Sequence, residues 1–100
     1  MTFRHVVMFE WIEDSGHDHV QRVRDGLNAL PGKIEQIRSY MHGSDARVSP
    51  DSWDYVLVAD FDSAADFEVY RSHPDHVAFI DAVIKGNTAK RAAVQFEHDS

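Results

Sequence analysis

The chain opens on FRHVVMFEWI, Phe3 to Ile12, in which β-branched and aromatic side chains occupy both alternating sets of positions. Phe3, Val7, Phe9 and Trp11 share one parity with His5, while Val6, Met8 and Ile12 share the other with Arg4 and Glu10. Such a run predicts a strand that needs cover on both faces. Asp14, Ser15 and Gly16 break it. Val20, Val23, Leu27 and Leu30 then recur three and four residues apart, the stripe of an amphipathic helix that Pro31-Gly32 stops.

Ile34 to His42 predicts a weaker strand ending at Gly43, and GSDARVSPDS is rich in turn formers. WDYVLVADF, Trp53 to Phe61, is again apolar on both faces, with Val56 and Val58 opposite Tyr55, Leu57, Ala59 and Phe61. Asp62-Ser63 can cap a short helix carrying Phe67 and Tyr70, with Asp66 three residues after Ser63. That helix must end before Pro74, because the residue ahead of proline is driven out of the α region. Pro74 suits the first position of a second helix, with Val77, Ile80, Val83 and Ile84 as its stripe and Phe79 alongside. Ala92 to Glu97 reads as a last strand, and His98-Asp99-Ser100 is expected to fray.

The order β-α-β-β-α-β predicts one α+β domain over residues 1–100, a ferredoxin-like fold with a four-stranded antiparallel sheet. Helices cover only one face of such a sheet. The apolar set Val6, Met8, Val56 and Val58 on the other face therefore predicts burial in a homodimer.

One hundred residues suffice for a single core, and the formal charge of -7 argues against nucleic acid as a partner, since phosphate binding needs a basic surface. The absence of cysteine removes thiolate nucleophiles and cysteine-ligated metals. No apolar run reaches the roughly 18 residues of a membrane span and no signal peptide pattern opens the chain, so the expected location is cytoplasmic, with no membrane partner.

Candidate chemistry concentrates in YRSHPDHVAF, Tyr70 to Phe79. His73 suits a helix cap. His76 falls in the first turn of the next helix, where unpaired backbone N–H groups favour a neutral imidazole able to act as a general base; the same position equally suits a packed, hydrogen-bonded core histidine. His5, among apolar neighbours on its strand, must find a partner, and Tyr55 on an adjacent strand is a candidate. Tyr70 could supply a hydroxyl to a pocket or pack beneath Pro74. Two histidines without a third ligand make His73 and His76 a weak metal signal, and no metal is expected. His17-Asp18-His19 is expected to be solvated in a turn, and Trp11 and Trp53 to serve the core or a dimer contact.

RHVVMF, LNALPGKIEQIRSYMHG, DYVLVADFDS and YRSHPDHVAF together resemble the stress-responsive dimeric α/β-barrel (Dabb) family, over nearly the whole chain. The resemblance implies a ferredoxin-like monomer whose sheet joins that of a second copy to close a barrel with helices outside. The family includes olivetolic acid cyclase-like proteins, which act without a cofactor. Their strand histidine matches His5, and their tyrosine and histidine in Y-x-x-H-P-x-H match Tyr70 and His76. A second strand histidine falls on Tyr55 and a first-helix tyrosine on Leu27, two departures that alter the pocket wall.

What the resemblance implies is thus a homodimer with a small pocket between sheet and helices, binding a small organic molecule. His76, Tyr70 and His5 would be its catalytic candidates, with Tyr55, Leu27 and Phe79 as substrate contacts. A cofactor-independent cyclase or isomerase with His76 as general base is the alternative reading, and a cofactorless monooxygenase a third.

Overall fold

A computed structural model of the chain describes residues 1–99. Strand β1 (Thr2–Trp11) leads to helix α1 (His17–Ala29), strands β2 (Ser39–Ser44) and β3 (Tyr55–Phe61), helices α2 (Ala64–Ser72) and α3 (Pro74–Phe79), and strand β4 (Thr88–His98). The strands pair antiparallel in the order β2-β3-β1-β4, a ferredoxin-like sheet. Among the described residues no helix is long and apolar enough to cross a membrane.

Parity along β1 and β3 decides which side chains form the core. Val7 and Phe9 of β1 join Tyr55, Leu57, Ala59 and Phe61 of β3 under Val23 and Leu27 from α1, Leu30 just after it, and Phe67 and Tyr70 from α2. The opposite face is apolar but open. Met8, Val56, Met41, Phe96 and Val94 are each more than a third exposed there, Val94 at 64%. Arg4 crosses this face to Asp60, donating from Nε at 2.7 Å and from its terminal nitrogen at 2.9 Å.

The closed barrel expected above is not what the chain forms. Its four-stranded sheet is open, with β2 and β4 as its two edges. Closure requires the edge strands to find partners, and among the described residues they find none.

Several local expectations also need correction. The segment expected as a strand from Ile34 forms turns as far as Ile37, with backbone bonds from Ile34 to Leu30 and from Ile37 to Ile34. This buries Ile34 in the core at 1% exposure, a gain that extended geometry would forfeit. The third strand starts at Tyr55 rather than Trp53, and the fourth begins at Thr88, four residues before Ala92. After α3 the chain passes through a π-helical turn, Ile80–Ile84, which buries Ile84 and leaves Val77 exposed. His98 closes β4, and Ser100, where fraying was expected, lies outside the described residues.

His19 departs most from expectation. It is 2% exposed, its ring set edge-on against Trp11 at 4.7 Å, and among the described residues neither ring nitrogen has a hydrogen-bond partner. The apolar stripe of α1 thus includes a histidine, which burial holds in its neutral form.

Candidate functional site

The break between α2 and α3 builds one wall of a cavity. Ser63 Oγ caps α2 by accepting from the Asp66 N–H. His73 terminates α2 in an extended conformation and caps α3, its Nδ1 accepting from the Asp75 N–H at 3.1 Å. Its role is to end one helix and start the next. Because the chain turns at Pro74, the Arg71 carbonyl is deprived of its usual helical donor. His76 Nδ1 approaches that oxygen at 3.0 Å and donates to it.

This bond assigns the His76 tautomer. With the proton on Nδ1, neutral His76 carries its lone pair on Nε2. Burial, more than the neighbouring Arg91 and His73, lowers its pKa despite the Arg71 carbonyl. Its ring lies 4.3 Å from that of Tyr70, centroid to centroid.

Tyr70 is 1% exposed, and its hydroxyl is 2.7 Å from that of Tyr40 on β2. Burial pushes the Tyr70 pKa up to about 12 and raises that of Tyr40 as well, so both are neutral hydroxyls at neutral pH.

His5 comes from β1 into the same space, against the Phe67 ring at 4.8 Å. The register of β1 with β4 sets it directly across from Gln95, whose side-chain amide nitrogen donates to His5 Nδ1 at 2.8 Å. Neutral His5 therefore carries its proton on Nε2, the reverse of His76. Burial, reinforced by Arg91, His76 and Arg71, holds its pKa down to about 4.

His5, Tyr70 and His76 line one cavity of about 230 Å³, together with Leu27 and Phe79. Its apolar walls include Val7, Phe9, Leu57 and Phe67, and Arg71 and Arg91 complete the lining. Phe79 reaches over α1 at Gly26, where any added Cβ would collide with its ring. A glycine in mid-helix, normally unfavourable by about 1 kcal/mol, is here a condition for the cavity wall.

Tyr55 belongs elsewhere. The register sets it opposite Phe9 and His5 opposite Ala59, so the suggested His5–Tyr55 contact does not form. Instead Tyr55 donates its hydroxyl proton to His42 Nδ1 at 2.7 Å, and His42 Nε2 donates to Asn28 Oδ1 at 2.8 Å. This relay ties α1 to β2 and β3 outside the cavity lining.

The sequence reading did not identify Arg91, Gln95, Arg71 or Tyr40. Arg91 and Gln95 share the parity of the helix-covered face, opposite Phe9 and His5. Starting the last strand at Ala92 left Arg91 out of that pattern. Among the described residues no three His, Asp or Glu side chains converge as a metal ion would require.

Comparison with known proteins gives a consistent fold. A family model described as the stress responsive A/B barrel domain, Dabb, matches residues 3–98. The chain is similar to a dimeric ferredoxin-like protein of unknown function from Thermobifida fusca, with 36% identity, a TM-score of 0.88, and coverage of 96% of this chain and 90% of that one. It is also similar to a dimeric ferredoxin-like protein of unknown function from Bacteroides fragilis, with 27% identity, a TM-score of 0.84, and coverage of 97% and 96%. A hydroxynitrile lyase from Passiflora edulis shares the fold at 15% identity, with a TM-score of 0.84 and coverage of 95% and 91%. No curated protein matches the chain.

Proposed function

The chain belongs to the stress responsive A/B barrel domain family, and from that premise we propose that it is a homodimer whose cavity binds a small organic molecule. The observation that carries this reading is the convergence of His5, Tyr70 and His76 on a cavity with otherwise largely apolar walls. A few polar groups in an apolar concavity are the usual composition of a small-molecule site. At about 230 Å³ the cavity falls just below the 300–1,000 Å³ typical of such sites, so the ligand is small.

The dimer rests on two supports. Val56, Met8, Met41, Val94 and Phe96 expose a continuous apolar face, larger than isolated surface residues would make. Two similar proteins, from Thermobifida fusca and Bacteroides fragilis, are described as dimeric.

A second reading, favoured by the histidine tautomers, is cofactor-independent chemistry beside a carbonyl. His76 Nε2 takes a proton from a carbon next to the carbonyl, the C–H electron pair forms the new C=C bond, and the carbonyl π pair moves onto oxygen. The resulting enolate oxygen accepts hydrogen bonds from the Tyr70 hydroxyl and from His5 Nε2–H. One histidine thus offers an acceptor and the other a donor, as enolisation requires.

Thermal-shift screening of phenolic and β-keto compounds tests the binding reading. A ligand at about ten times its Kd adds about 1.4 kcal/mol, a rise in Tm of about 5 °C or more for a domain of this size. The rise is expected in wild type and is lost in His76→Ala. A panel that moves neither protein counts against the reading. The second reading predicts that deuterium uptake from solvent at the α-carbon of a β-keto ester is accelerated above its spontaneous rate, an acceleration lost in His76→Ala; binding without acceleration would leave a binding protein and remove the enzyme.

A further inference from the structure

The cavity carries a charge asymmetry that its histidines and tyrosine do not explain. The chain has 17 acidic and 10 basic side chains, yet among the described residues no acidic side chain lines the cavity while two arginines do.

The two arginines are held differently. Arg71, on α2, is braced by Glu68 at 2.6 Å and lies over the Phe67 ring at 5.4 Å. Arg91, on edge strand β4, forms no ion pair among the described residues, although it is close enough to His5, Tyr70 and His76 to disfavour positive charge on the two histidines. No carboxylate lines the cavity among the described residues, so nothing within it balances Arg91. A guanidinium without a carboxylate partner beside an apolar pocket is the arrangement that binds a planar anion by paired hydrogen bonds.

We propose that the cavity is selective for small apolar monocarboxylates, the hydrocarbon part lying among Val7, Phe9, Leu27 and Leu57 and the carboxylate bound by Arg91 at the rim. This rests on the binding reading above and specifies its ligand class. Arg71, already engaged by Glu68, adds positive potential without being the primary contact. In the enolisation reading the same arrangement orients a keto acid, with its carboxylate at Arg91 and its carbonyl toward Tyr70 and His5.

The test uses matched acid and amide pairs, 3-phenylpropanoate with 3-phenylpropanamide and hexanoate with hexanamide. Their affinities are measured by calorimetry on wild type, Arg91→Gln and Arg91→Lys. Each acid is expected to bind wild type about fivefold or more tightly than its amide, the factor that about 1 kcal/mol from a solvent-accessible charge pair supplies. Arg91→Gln is expected to bring the acid down to the amide's affinity and leave the amide unchanged; Arg91→Lys, keeping the charge but losing the fork, falls between.

Amides and acids binding wild type equally would overturn the carboxylate selectivity and leave the cavity reading intact. Acid selectivity undiminished in Arg91→Gln would overturn the role of Arg91. No binding of either member of both pairs would overturn the cavity reading and this proposal with it. Circular dichroism of the variants checks that an exposed strand-edge substitution has left the fold unchanged.

Discussion

His76 donates from Nδ1 to the carbonyl oxygen of Arg71 at 3.0 Å, across the break that Pro74 makes between α2 and α3. The bond joins a candidate base to the end of the preceding helix and leaves Nε2 as its basic nitrogen. His5, which accepts from Gln95 through its own Nδ1, is in the opposite tautomer. Nitrogen-15 spectra at pH 7 are expected to report both rings neutral, His76 protonated on Nδ1 and His5 on Nε2. Two rings in the same tautomer would remove the donor and acceptor pair on which the enolisation reading depends.

Acid should weaken the fold well before its carboxylates titrate. His5, held at about 4, and His19, His42 and His76 all have lowered pKa values in the folded chain, chiefly from burial, against about 6.5 when unfolded. Between the folded and unfolded values the unfolded chain binds more protons, so stability rises with pH through that window. The contribution is complete above about 6.5 and is lost as pH falls toward about 4. For His5 alone the difference corresponds to about 3 kcal/mol. Urea unfolding between pH 8 and 4.5 measures this, and His5→Gln is expected to flatten the slope. A midpoint constant over that range would contradict the assigned neutral histidines. The lowered carboxylates Asp54 and Asp60 add their own loss only below their ordinary value of 3.8.

The Tyr40 and Tyr70 hydroxyls, 2.7 Å apart, stabilise the fold as a pair. Tyr70→Phe leaves the Tyr40 hydroxyl without its partner and is expected to cost about 1–2 kcal/mol. Replacing both removes the unsatisfied group, so Tyr40→Phe/Tyr70→Phe is expected to cost less than the two single changes summed, with a coupling of about 1 kcal/mol. Denaturant midpoints of the four proteins give the cycle, and strict additivity would show that the bond contributes nothing.

The exposed sheet face leads to a separate expectation. A lysine on that face would have to be desolvated in a face-to-face dimer and would remain hydrated in a monomer. Val94→Lys and Val56→Lys are therefore expected to weaken self-association at least about tenfold, the equivalent of about 1.4 kcal/mol, with little effect on the monomer fold. Sedimentation equilibrium reads the change. A wild-type protein that sediments as a monomer at tens of micromolar would contradict the dimer directly.

The sequence by itself determined the features that depend on neighbours a few residues apart. The apolar parity of β1 and β3, the stripe of α1, the Ser63 cap and the helix break at His73-Pro74 follow from side-chain alternation, capping and proline geometry. His73 and His76 were separable for the same reason, since one precedes and the other follows the proline. Tertiary structure alone decided what depends on cross-strand pairing. His5 meets Gln95, 90 residues away, because the β1–β4 register aligns them. Tyr55 meets His42 instead of His5, because the β1–β3 register sets it four residues further along the sheet. His19 is buried by the way α1 packs on Trp11. Arg91 reaches the cavity because β4 starts earlier than its apolar run. A one-residue slip in pairing would exchange the two faces of a strand, and local sequence constrains that choice only weakly where both faces are apolar.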